Sequence, residues 1–425
     1  MTLEHPAGLA RAMGRWDLIA LTIDSILGAG IFFLPAVIAG LLGPLSPYAC
    51  IACAVVTLTF VLSFAEASSR FESGGGPYRY AYHAFGPFAG FQVGWIVYLT
   101  RLAGTAASFG LFTLYLGYFI PGMNAPAVRL GVFLLLTAVL TFINVRGVRY
   151  GALTVDFITI AKVLPLVLVV VVGLFFIQGK NLAVETVPPA ESFMRSLFLL
   201  TFAFGGFEIM TIPSGEAVDP RSNVPRALIA GVFVVAAVYF LLQLVATGVL
   251  PGLASEERPI AALAAAVMGP AGARVIAAGA VISTLGLIGG NILGAPRLTF
   301  ALAENNQLPS IFRHVHPVYK TPDASIYIYA GMVFLLAALS DFVTLAAISI
   351  VSRLLFYIST SASVLAFRKE SRAPFTIPFG PAIPLLGILF ACALLKFTRP
   401  EELYYTIGGI AAGTFLYFIV RRKHR

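Results

Sequence analysis

Charge is what this chain has least of: 11% of its 425 residues are Asp, Glu, Lys or Arg. Soluble domains carry about a quarter, so a water-facing globular protein is excluded. Cysteine is scarce too. All three cysteines (Cys50, Cys53, Cys392) fall inside apolar runs, where a Cys-x-x-Cys reads as small-residue helix packing rather than redox or metal chemistry. Histidine is limited to His5, His83, His314, His316 and His424, all at termini or in polar loops. His314-Val315-His316 has no third ligand nearby, so no metal site is expected, and nothing calls for a cofactor. There is no His-Glu-x-x-His, no Gly-x-Ser-x-Gly and no phosphate loop. A membrane enzyme needs a nucleophile, a metal or an acid–base cluster, and an ATP-driven pump needs a nucleotide domain; neither is found. No extramembrane domain of the kind a receptor uses is present.

Apolar residues are abundant. They make up 59% of the chain, with a mean hydropathy of +0.92 and forty glycines. The expected fold is an all-α polytopic membrane protein embedded in the lipid bilayer. Runs long enough to span lie near 16–41, 45–70, 84–120, 127–145, 152–178, 191–213, 224–250, 270–303, 323–340, 342–366, 379–397 and 402–420, twelve transmembrane helices in all. The third is long enough to be strongly tilted or to include an interfacial helix. The polar stretch 1–15 shows no cleavable signal pattern, so the first apolar run is expected to be retained as a span.

The net charge of +9 reads as topology rather than nucleic-acid binding, because the basic residues sit in short loops. Eighteen of the 28, among them Arg70, Arg146, Arg226, Arg297 and Arg368, flank one face; seven flank the other; Arg101, Lys162 and Arg353 lie within spans. By the positive-inside rule the richer face is cytoplasmic. Both termini are therefore expected inside, with the protein in the plasma (inner) membrane.

Gly28-Ala29-Gly30-Ile31-Phe32 interrupts the first run in its middle. Two readings fit. Small residues allow close helix packing; alternatively the helix breaks there, and its half-helix N-terminus offers free N–H groups and a positive dipole end to an anion. A second interruption, Phe202-Ala203-Phe204-Gly205-Gly206-Phe207-Glu208, lies in the sixth run. A shift of five spans inverts membrane orientation, so paired breaks in spans one and six are what a five-plus-five inverted repeat requires. The expected division is a cytoplasmic tail over 1–15, a first repeat over 16–178, a second over 191–366, and two extra helices with a basic tail over 367–425.

At this point the chain resembles the amino acid–polyamine–organocation (APC) superfamily of secondary transporters. The resemblance rests on the two breaks with Pro35; on Arg70-Phe71-Glu72-Ser73-Gly74-Gly75-Gly76-Pro77-Tyr78; and on Phe85-Gly86-Pro87 with Gly90 and Gly94. It rests also on Glu216 with Asp219-Pro220, Val224-Pro225-Arg226, Pro296-Arg297 and Leu308-Pro309. The resemblance implies a LeuT-type fold, alternating access and an amino acid substrate. On that footing the backbone N–H groups of Ala29 and Gly30 hold the α-carboxylate, Gly28 beside them is a substrate-binding position, and carbonyls near Ile26 and Leu27 accept from the α-ammonium. Phe202, Ala203 and Phe204 supply gating and carbonyls, Gly206 leaves room for substrate, and Thr105 matches a substrate-lining position.

The charges within spans are costly and invite function. Lys162 lies about 13 residues, or ~20 Å, from the loop near Arg149, too deep for easy snorkelling. Its position resembles that of a lysine in proton-coupled relatives, where the amine stands in for a sodium ion between spans one and eight. Ser283 and Thr284 are its expected neighbours. Glu208 either shares the proton path or is a carboxylate bonded to nearby backbone. Asp24 and Arg101 form an ion pair, or Arg101 engages an acidic substrate side chain, or Asp24 engages a basic one or relays a proton; the sequence leaves these open. Arg353 is expected to brace helices, and Glu66 and Glu72 to anchor loops through Arg70 and Arg79. The expected function is proton-coupled amino acid symport, with an exchanger of amino acids or polyamines as the alternative. The apolar surroundings of the breaks favour a neutral substrate, while Asp24 and Arg101 keep a charged one open.

Overall fold

The computed structural model describes residues 13–72, 74–123, 125–147 and 152–423, with backbone only at 152–161, 213, 215 and 423. Most of the tail expected over 1–15, and Arg149, lie outside the described residues. The described chain is helical throughout, apart from one isolated bridge between Met13 and Ala217. In order the helices are α1 (Arg15–Ile26), α2 (Leu34–Leu42), α3 (Ser46–Ser69), α4 (Gly76–Phe85), α5 (Pro87–Leu116), α6 (Pro126–Val145) and α7 (Ala152–Gly173). They continue as α8 (Ala190–Phe204), α9 (Pro220–Val249), α10 (Pro259–Glu304), α11 (Asp323–Leu339), α12 (Phe342–Phe367), α13 (Ala382–Leu395) and α14 (Pro400–Lys423).

Seven helical stretches among the described residues are long and apolar enough to cross a membrane, and three shorter apolar helices accompany them. Large apolar side chains such as Leu135, Phe142, Phe175 and Phe415 face outward. In water such a surface would be costly; against lipid tails it is matched.

The run 84–120 proves to be two elements. Gly86 separates the short α4 from α5, and Pro87 starts α5 at a position where its missing N–H is no loss. The run 270–303 is likewise the second part of a longer element. Gly269 adopts φ 69°, and Pro270 follows it, so the chain bends sharply and α10 continues from there.

Both expected breaks are present. After α1 the chain tightens into a 3₁₀ turn, Ala29–Phe32, before α2. After α8 it passes through Gly205 and Gly206 into short 3₁₀ turns, Phe207–Thr211 and Pro213–Glu216. Gly206 sits at φ 118°, a region that side chains with a Cβ rarely adopt. A Cβ on Gly206 would overlap the Ser25 carbonyl oxygen, so the two breaks touch backbone to backbone.

Candidate substrate cavity

The breaks and four long helices, α5, α7, α10 and α12, line a cavity of about 340 Å³, at the small end of the ~300–1,000 Å³ range of small-molecule sites. Helix α1 contributes Asp24, Ser25 and Ile26, and the first break contributes Gly28, Ala29 and Gly30. The 3₁₀ turn leaves the Ala29 and Gly30 amides without intrahelical acceptors, as any helix start does. Both residues line the cavity. Phe202, Gly205, Gly206 and Glu208 bring in the second break.

The first-break carbonyls are partly engaged. The Ile26 carbonyl accepts from the Gly28 amide at 2.7 Å. The Tyr239 hydroxyl on α9 lies 3.0 Å from both the Ile26 and the Ala203 carbonyl oxygens, its one proton serving either. Ile26 itself lines the cavity, with one lone pair of its carbonyl taken by Gly28. Leu27 is buried away from the cavity, its amide donating to Ile23. Ala203 lies behind the wall, against Gly30. Phe204 turns outward to meet Tyr239 edge-on, ring centroids 5.1 Å apart. Phe202 does face the cavity, and its ring meets Phe342, which in turn meets Phe33, at 5.6 and 4.8 Å. These three aromatics roof the site on the α2 side. Toward the α1 end the lining runs on to Pro77, Ile209 and Ile212.

Thr105 is a correction. It is fully buried, and its hydroxyl is engaged with the Arg101 carbonyl at 2.7 Å and the Tyr329 hydroxyl at 2.9 Å. The residues of α5 that line the cavity are Val97, Thr100, Arg101 and Gly104, spaced i, i+3, i+4, i+7. Thr105 falls on the next strip round the helix, which packs on α11.

Lys162 reaches the cavity from α7. Its Nζ donates to the Asp24 backbone carbonyl at 2.8 Å and lies 2.7 Å from the Asp24 carboxylate. The amine thus meets a carbonyl of the first span, and Asp24 pairs with Lys162. An Asp24–Arg101 ion pair is absent among the described residues, because Arg101 points instead toward α10, beside Gly294. Of the expected neighbours of Lys162, Thr284 bonds back to its own helix. Ser283 lines the cavity, its buried hydroxyl without a partner among the described residues.

Glu208 is held on three sides. Its Oε2 accepts from the Gly206 amide at 2.9 Å and from the Tyr357 hydroxyl at 3.0 Å, and its Oε1 is 3.4 Å from Arg353 Nε. Arg353 also donates to the Thr201 and Phe202 carbonyls at 3.3 Å, which caps the broken end of α8. Glu66 anchors more than Arg70: Arg368 grips it at 2.5 and 2.6 Å and the Ile377 amide donates to it, while Arg70 stands at 3.8 Å. Glu72 pairs with Arg221 at 3.4 Å.

The sequence reading passed over Tyr239, Tyr357, Gly104 and Asn291. The last carried a signal: an amide in a Gly-rich helix, beside Gly290, with Gly286 and Gly294 one turn away on either side.

The amino acid permease family profile matches residues 13–415. The serine/threonine exchanger SteT of Bacillus subtilis is 27% identical over 436 residues, covering 98% of both chains. The branched-chain amino acid permease BcaP of the same organism is 26% identical over 439 residues, covering 98% of this chain and 94% of its own. An uncharacterized transporter of Mycobacterium tuberculosis is 30% identical over 418 residues, covering 96% of this chain and 90% of its own. With two broken helices around a cavity that charged side chains enter, and a match spanning nearly its whole length, this chain belongs to the amino acid permease family of the APC superfamily.

Proposed function

We propose that this chain is a secondary active amino acid transporter that works by alternating access and couples uptake to protons. The observation that carries the reading is the cavity wall itself: Ala29 and Gly30 at a helix start in the first break, where a carboxylate would gain from both hydrogen bonds and dipole. The substrate α-carboxylate docks there. The partly engaged Ile26 carbonyl and other acceptors of the cavity receive the α-ammonium.

Lys162 is the proton carrier on this reading. Charged, its amine pins α1 through the Asp24 carbonyl and carboxylate. Neutral, it loses the ion pair and frees α1 to move, so proton release and the conformational change are linked. Glu208, with two donors and the Arg353 guanidinium fixed on it, serves as the clamp on the second break rather than in the proton path. On this reading the packed rings of Phe33, Phe202 and Phe342 shut the site on one side and exposed Ile212 marks the way out, as in one of two alternating states. The wider assignment is a protein of the plasma membrane with twelve crossings and both termini cytoplasmic. Its repeats are 16–178 and 191–366, followed by two further helices.

The test is uptake of radiolabelled amino acids into proteoliposomes holding the full chain, with and without an inward proton gradient at fixed sodium. Accumulation driven by the gradient is the expected result. A second reading, exchange without net proton coupling, is favoured by the name of the exchanger relative. It wins if uptake ignores the gradient and requires amino acid inside the vesicle.

A further inference from the structure

Among the described residues, five ionisable side chains line the cavity: Asp24, Arg101, Lys162, Glu208 and Arg353. Four of them are paired. Lys162 and Asp24 stand 2.7 Å apart, and Arg353 and Glu208 3.4 Å apart. Glu208 Oε2 accepts from an amide and a hydroxyl while Oε1 faces Arg353, so the neighbours of this carboxylate are donors and a cation. The fifth, Arg101, has neither an ion pair nor a side-chain hydrogen bond among the described residues. Its backbone carbonyl is taken by Thr105 and Tyr329, while its guanidinium stands at the cavity surface beside Gly294, where the absence of a side chain makes room for it.

Among the described residues the lining therefore carries one net positive charge, held by a group that does not lose its proton in proteins. A guanidinium at this depth is costly until an anion meets it, and its flat fork suits a carboxylate. A neutral amino acid does not supply that anion. Its α-carboxylate is balanced by its own α-ammonium, so the bound complex keeps the excess charge. A substrate with a second carboxylate removes it.

We propose that the preferred substrate is an anionic amino acid, an α-amino dicarboxylate whose side-chain carboxylate is bound by Arg101. The assignment rests on the amino acid transport reading above and reverses the preference for a neutral substrate suggested by the apolar breaks. The dicarboxylate spans the cavity from the first-break amides to α5. Asn291 and Ser283 on α10 are the neutral polar groups along its path.

The probes are L-glutamate and L-aspartate against their near-isosteric amides, L-glutamine and L-asparagine, as competitors and as labelled substrates of the full chain in proteoliposomes. In the unaltered protein the dicarboxylates are expected to outcompete the amides by roughly tenfold to a hundredfold, the span commanded by one hydrogen bond to a charged group. In Arg101→Gln the preference should vanish or invert, and in Arg101→Lys it should survive in weakened form. Equal or better binding of the amides by the unaltered protein overturns the proposal and leaves amino acid transport standing. Transport of other amino acids with none of the four recognised also overturns it alone. Binding of no amino acid at all overturns the underlying reading together with it. Because the first comparison needs no variant, misfolding of an Arg101 substitution does not shield the proposal.

Discussion

Lys162 has two acceptors on one residue of the first span, the Asp24 carbonyl and carboxylate, and this makes the roles of charge and position separable. Lys162→Met keeps the bulk of the stem but removes the charge. It should abolish accumulation driven by a proton gradient while exchange and substrate binding persist, read by counterflow in the same vesicles. Parallel loss of all three would assign Lys162 to folding. Asp24→Asn tests the partner: the carbonyl remains but the carboxylate is gone, so the pH at which uptake is half-maximal should shift while the fold survives. Tyr239 is the other residue with a distinct signature. Its single hydroxyl proton serves either the Ile26 or the Ala203 carbonyl, one at each break. Tyr239→Phe should cost about 1 kcal/mol of stability, seen as a lower midpoint of thermal unfolding in detergent, together with weakened substrate binding.

At the scale of elements, the breaks depend on backbone rather than side chain. Gly206→Ala places a methyl against the Ser25 carbonyl and a side chain at φ 118°. The backbone alone costs about 1–2 kcal/mol, and the overlap pushes the two breaks apart. Uptake should be lost and the unfolding midpoint lowered. Helix starts offer a milder case. Asp341 caps α12, accepting from the Val343 and Thr344 amides and the Thr344 hydroxyl. Partial burial pushes its carboxyl up, but these hydrogen bonds outweigh that and hold it below its ordinary value. With the folded value depressed, the stabilisation is present above the unfolded value and is lost as pH falls through the folded one. Asp341→Ala should cost about 0.5–2 kcal/mol at neutral pH, with the difference from the unaltered protein shrinking in acid.

At the scale of the whole molecule, alternating access predicts opposite exposures for the two ends of the cavity. A cysteine replacing Ile212, on the open side, should react with a membrane-impermeant thiol reagent from that side only. A cysteine replacing Phe33, in the aromatic roof, should react only when the transporter turns over. Of the native thiols, Cys50 and Cys53 are buried and Cys392 is exposed on α13, so Cys392→Ser supplies the background. Reaction at both sites from one face would rule out the two-gate reading. The last helix is tied to this machinery through Arg195 of α8, which grips Glu402 of α14 at 2.7 and 3.1 Å and also donates to the Phe397 carbonyl.

Composition and local chemistry were enough to determine that the chain is helical and membrane-embedded, and that spans one and six break. Apolar length and clustered glycines act through the residues that carry them, whatever lies across the bundle. The same holds for the depth of Lys162, which is counted along one helix. What only the tertiary structure decided is which face each helix turns inward and which charges meet. Thr105 and Gly104 are neighbours in sequence, but packing against α11 sends one away from the cavity and the other into it. Asp24 had two candidate cations; the approach of α7 put Lys162 beside it, while Arg101 points toward α10. Helix rotation and pairing between helices are settled by the summed contacts of the whole bundle, which no single stretch of sequence contains.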